Sequence, residues 1–64
     1  MKIKVNNKIK TIMFQQYPIG LYVTIYNEHG EYDDDFDQFG YDGTKEKFIK
    51  GLKENPEIEI ISEV

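Results

Sequence analysis

The 64-residue chain has no cysteine, arginine, tryptophan or alanine, and it carries one histidine, His29, and one serine, Ser62. Without cysteine there is neither a disulfide to staple so small a domain nor a thiolate to ligate a metal, and His29 alone cannot complete a zinc shell. Nucleophilic catalysis needs a nucleophile, a base and a group that orients the base, and this inventory does not assemble them. Carboxylates are plentiful, but acid–base chemistry between them needs a cleft that 64 residues rarely provide. No glycine-rich phosphate loop occurs. The chain is therefore expected not to be an enzyme and to take no cofactor.

Long apolar runs are also missing. None approaches the roughly 20 residues that cross a bilayer, and Met1–Val5 alternates lysine with apolar residues, unlike a signal peptide. A cytoplasmic protein with no membrane partner is expected, and the opening Met1 reads as the start of a small open reading frame. A chain this short buries only about 60% of the surface it exposes unfolded, so an efficient core or self-association must supply the stability.

What is present favours sheet. Nine isoleucines, five tyrosines, four phenylalanines and three valines dominate the apolar set, and β-branched and aromatic side chains suit pleated surfaces. Together with lysine, asparagine and methionine, isoleucine, tyrosine and phenylalanine make up half the chain, the bias of an AT-rich genome such as that of a low-GC bacterium or its mobile elements.

Ile3 and Val5 alternate with Lys2 and Lys4. After Asn6-Asn7 the alternation resumes at Ile9, which predicts a hairpin with a two-residue type I′ turn. The second strand is expected to run to about Gln16 and to end near Tyr17-Pro18. Leu21, Val23 and Ile25 alternate with Tyr22, Thr24 and Tyr26, a clear third strand. The segment Asn27–Gly30 suits a type I turn closed by a left-handed Gly30, with a return strand near Glu31 to Phe36 and a loop from Phe39 to Gly43. Thr44 is placed to cap a helix from Lys45 to about Glu54, with Glu46 in its first turn and Phe48, Ile49 and Leu52 as its apolar stripe. Asn55-Pro56 stops that helix, and Glu57 to Val64 predicts a last strand. The expected fold is a single α+β domain spanning residues 1–64, in ββββαβ order, with one helix on one face of a mostly antiparallel sheet.

Charge is segregated. Met1–Asn27 holds four lysines and no acid, whereas Glu28–Gly43 holds seven acids and no lysine. One reading is architectural: Lys2, Lys4, Lys8 and Lys10 lie across the sheet from the acids and neutralise them. The other is functional. Alternation along Asp33-Asp34-Asp35-Phe36-Asp37 would set Asp33, Asp35 and Asp37 on one side, about 6.6 Å apart, close to the phosphate spacing of a nucleic-acid strand. Such an array would occupy the basic groove of a nuclease, polymerase or repressor. Tyr32, Phe36, Phe39 and Tyr41 would supply apolar anchors, one or two of them exposed. The expected partner-binding set is Glu31, Tyr32, Asp33, Asp35, Phe36, Asp37, Phe39, Tyr41 and Asp42.

Three other uses fit parts of the pattern. Asp35, Asp37, Gly40 and Glu46 fall at positions 1, 3, 6 and 12 of an EF-hand register, but Phe39 and Asp42 occupy positions that disagree with it and strand precedes it, so at most a weak divalent-ion site arises, from Asp35, Asp37 and Glu46 or from Asp33, Asp35 and Asp37. The first hairpin is a lysine ribbon, yet its acidic neighbours would repel phosphate, so no direct nucleic-acid contact is expected. An open edge at Met1–Val5 or Glu57–Val64 invites a homodimer by strand addition. In size, acidity and genomic bias the chain is similar in general character to the small acidic proteins that phages and plasmids encode to inhibit host enzymes, anti-restriction and anti-CRISPR inhibitors among them. That likeness implies an inhibitor or modulator. The alternative is a structural or regulatory interaction module without mimicry.

Overall fold

Alternation and turn chemistry set the elements. In the computed structural model, which describes residues 1–63, β1 (Lys2–Val5) and β2 (Lys8–Tyr17) form the first hairpin, and β3 (Gly20–Tyr26) and β4 (Tyr32–Phe39) form the second. The helix α1 (Lys45–Lys53) and β5 (Ile58–Ser62) complete the chain. Of the last strand expected from the sequence, Val64 lies outside the described residues. Asn6 and Asn7 take φ of 51° and 65°, the left-handed pair that a type I′ turn demands. At the second turn Gly30 has φ 77° and its N–H donates to the Asn27 carbonyl at 3.0 Å. Asn27 Oδ1 accepts the backbone N–H groups of His29 and Glu31, fixing the turn from its first residue.

Every strand pair is antiparallel, in the order β4-β3-β2-β1-β5. The fold is thus the small α+β architecture that the sequence predicts, with two differences. Strand β4 runs on through Phe39, where a loop is expected, because Gly20 to Tyr26 offers it a partner along the whole length. Met1–Val5 is not an edge: β5 pairs along β1, so the sheet edges are β4 and β5.

Register divides the side chains between two faces. Ile3, Ile12, Leu21 and Val23 share the inner face and, with Met1, make up the buried core. Thr44 caps the helix: its Oγ1 accepts the Lys47 N–H at 3.3 Å, with Glu46 in the first turn and Lys50 and Lys53 in the last, each at the end where the helix dipole favours its charge. Glu54 is the C-cap and lies just outside the helix. The helix lies on the inner face through Phe48, whose ring centroid is 5.4 Å from those of Phe14 and Phe36. Nine helical residues span about 13 Å, whereas the ten residues of β2 span about 33 Å. The helix therefore covers only part of one face, and none of its residues is fully buried. Among the described residues no helix is long and apolar enough to cross a membrane.

The end of the sheet nearest the helix start is locked by a contact that needs glycine. A Cβ built on Gly43 would stand 2.2 Å from the Gln38 carbonyl oxygen and 2.8 Å from Gly20 Cα. Gln16 fastens the same corner, its Nε2 donating to the carbonyls of Gly20 at 3.0 Å and Gly43 at 2.8 Å.

Candidate functional site

Strand β4 carries most of the acidic segment and lies at the edge of the sheet. Its register against β3 pairs Val23 with Phe36, Thr24 with Asp35 and Tyr22 with Asp37, so Phe36 points to the helix side while Asp35 and Asp37 point to the opposite, uncovered face. Between Ile25 and Tyr26 the register shifts: Ile25 pairs with Asp34 and Tyr26 with Tyr32, which leaves Asp33 as an extra residue in a β-bulge. The bulge turns Asp33 to the helix side, where Lys10 Nζ meets its Oδ2 at 2.7 Å. Asp33, Asp35 and Asp37 therefore do not share a face, and only Asp35 and Asp37 keep the alternate spacing.

The remaining members of the expected set divide in the same way. On the helix side, Asp42 is held by Lys47 Nζ at 3.0 Å, and Asp34, outside the expected set, joins it there, its Oδ1 accepting the Asp35 amide at 2.8 Å. The same ammonium lies 3.6 Å from the centroid of the Tyr41 ring, so Lys47 ties the β4–α1 loop to the helix by charge and by cation–π attraction. Glu31 is exposed at the base of the second turn, its carbonyl accepting the Asn27 amide at 2.8 Å. On the uncovered side, Tyr32 and Phe39 flank Asp35 and Asp37. All four aromatics, Tyr32, Phe36, Phe39 and Tyr41, are exposed, where one or two were expected, because a single short helix leaves both sides of β4 open.

Asp35 is the most engaged of these carboxylates. It accepts a hydrogen bond from the Tyr22 hydroxyl on the neighbouring strand. That bond, with desolvation and the like charge of the carboxylate, pushes the Tyr22 pKa up to about 12. Tyr32 is pushed the same way, first by hydrogen bonding to Asp35 and then by desolvation and charge. Both phenols are thus held in the protonated form beside one carboxylate.

Two depressions flank the Phe36–Phe48 contact on the helix side. One, of about 340 Å³, lies beside Leu21, Gln38 and Asp42, and the other, of about 550 Å³, exposes Ile25, Leu52 and Ile58 beneath the rim formed by Asp33 and Asp34. Together they form an apolar trough along β4 with carboxylates at both ends. Sequence reasoning did not find it, since it arises where the short helix stops covering the sheet.

The metal reading is not assembled. Asp35 and Asp37 lie on the uncovered face, Glu46 lies on the helix across the sheet, and Asp33 is turned to Lys10. Among the described residues no group of three or more carboxylate or imidazole side chains is placed to hold a metal ion. Lysine neutralisation is also local: among the described residues Lys10–Asp33 is the one ion pair joining the lysine segment to the acidic segment. Comparison with protein-family models, with curated proteins and with solved structures yields no match.

Proposed function

We propose that the chain is a stoichiometric protein-binding inhibitor or modulator that lays its β4 edge against a basic surface, such as the nucleic-acid-binding face of a host protein. The observation that carries this reading is the position of β4. It is an edge strand with an unpaired backbone side, carboxylates above and below it, and an apolar trough alongside. An extended basic segment adding to such an edge gains main-chain hydrogen bonds from the strand and side-chain specificity from the depressions beside it. Its lysines or arginines would meet Glu31, Asp33, Asp34 and Asp42, and an apolar side chain would pack on Phe36. The field of these carboxylates speeds encounter with a cationic partner and disfavours an acidic one. Among the described residues Lys2, Lys4 and Lys8 form no ion pair with these carboxylates. Because the bulge breaks the run of evenly spaced aspartates, the reading rests on edge and trough rather than on imitation of a phosphate ladder.

The architectural alternative, acids that only balance lysines, has the Lys10–Asp33 pair in its favour. Capture from a lysate at low and moderate salt, compared between the parent protein and a Glu31→Gln/Asp34→Asn variant, separates the two. The proposal expects the variant to keep its melting temperature while losing the captured protein. Unchanged capture, or a lowered melting temperature with capture unaffected, would favour the alternative.

A further inference from the structure

Among the described residues the uncovered face of the sheet holds six of the nine large apolar side chains that stay exposed: Ile9, Met13, Tyr17, Tyr32, Phe39 and Ile61. Met13, on the longest strand, is 53% exposed. The chain as a whole exposes 4681 Å², against the ~4,300 Å² that surface scaling gives a folded monomer of this mass. Among the described residues only five hydrophobic side chains are buried, three of them fully, and no disulfide compensates. A domain built in this way gains most from covering that face.

Charge on the face is arranged by corners. Register places Lys2 beside Thr11 and Tyr26, and Lys4 between Ile9 and Glu59, so that this end of β1 and β5 carries two lysines and one glutamate. Asp35 and Asp37 lie beside Thr24 and Tyr22, toward the other end of β4. The lysine corner and the aspartate corner are thus diagonal to each other, with Met13, Thr11 and Tyr26 around a shallow depression between them. A two-fold axis lying in the face and crossing the strands obliquely between β2 and β3 exchanges the two corners. It sets the lysines of one copy on the aspartates of the other and packs the centre against itself. The strands of the two sheets then cross at near right angles, one of the two stable ways for sheets to pack.

The geometry points to a second copy of this chain as the occupant of the uncovered face, in an isologous, face-to-face dimer. The two longer extents of the molecule, 33 and 25 Å, give that face an area on the order of the ~800 Å² per partner found in standard interfaces. Apolar centre and charged rim match the usual anatomy of an interface. Pairing β4 edge to β4 edge would instead set aspartates against aspartates, which is unfavourable. The dimer does not rest on the proposed partner site: it takes Asp35, Asp37, Tyr32 and Phe39 into the two-fold interface and leaves Glu31, Asp33, Asp34, Phe36 and Asp42 on the outside.

Sedimentation velocity over a concentration series tests this, with Met13→Lys, Tyr17→Lys and Tyr41→Lys as variants. The parent protein is expected to double in mass as concentration rises. Met13→Lys and Tyr17→Lys should stay monomeric with unchanged far-ultraviolet circular dichroism, and Tyr41→Lys, in the loop on the helix side, should still dimerise. Carbodiimide cross-linking of a mixture of ¹⁴N- and ¹⁵N-labelled protein gives a reading that needs no substitution, since Lys2 or Lys4 of one isotope should join Asp35 or Asp37 of the other. A parent protein monomeric throughout, or a dimer that survives both Met13→Lys and Tyr17→Lys, would overturn the face-to-face arrangement.

Discussion

Lys10 Nζ stands 2.7 Å from Asp33 Oδ2, across the sheet from β2 to the bulge in β4. Among the described residues this is the one ion pair between the lysine-only and the acid-rich segments. Both side chains are about one-third exposed, at 31% and 38%, and ion pairs so open to water contribute roughly 0.2–1 kcal/mol. A double-mutant cycle of Lys10→Met and Asp33→Asn in urea should give a coupling within that range. A coupling of several kcal/mol would show that the charge division is architecture.

Phe48 is the joint between helix and sheet, in ring contact with Phe14 and Phe36. Replacing it by alanine should cost about 2–4 kcal/mol, the lower figure being the closer because the ring is only half-buried. For a domain of this size that is a large share of the total. Thermal unfolding of Phe48→Ala should show a much lower midpoint or no transition, whereas Thr44→Ala, which removes one capping bond, should cost only ~1 kcal/mol.

Gly43 has no room for a side chain. A methyl group there would stand 2.2 Å from the Gln38 carbonyl oxygen and force the loop away from the β2–β3 turn. Gly43→Ala should therefore lower stability by about 1–3 kcal/mol, although the same change at Gly51, where nothing stands within 4 Å, should raise it by ~1 kcal/mol through helix propensity. Chemical denaturation of the two variants reads the opposite signs.

The features legible in the sequence are those that one segment decides by itself. Asn6-Asn7 demands its turn, Thr44 its cap, and the clean alternation of Leu21 to Tyr26 its strand. Features that depend on a distant partner were not legible. In Tyr32–Phe39 nearly every residue is polar or exposed, so the hydrophobic pattern does not set the register, and the bulge that turns Asp33 away from Asp35 leaves no trace in Asp33-Asp34-Asp35. The interior place of β1 follows from β5 returning beside it, a contact across some 55 residues of chain. Nor does alternation alone say which face of the sheet one nine-residue helix covers, and the open aromatic face follows from that choice.

Tyr22 gives the fold a pH dependence. Its hydrogen bond to Asp35 needs the phenol protonated, and its pKa rises from the ordinary 10.0 to about 12. The folded state thus holds this proton more tightly than the unfolded chain does. The associated stability is fully present below pH 10 and is lost as the pH rises through about 12. Denaturation midpoints measured upward from neutral pH should fall across that window, and Tyr22→Phe should flatten the part of the fall due to this group. An unchanged profile in Tyr22→Phe would assign the alkaline loss to other groups.

The proposed function requires the acidic β4 edge, on its helix side, to accept a basic extended segment. The most direct measurement is a nuclear magnetic resonance titration of ¹⁵N-labelled protein with a peptide of alternating lysine and valine. Saturable shifts at Asp33, Asp34, Phe36 and Gln38, new exchange protection of β4 amides, and weakening by Glu31→Gln/Asp34→Asn are the predicted result. Shifts confined to the Asp35–Asp37 face, or no saturation at low salt, would contradict it.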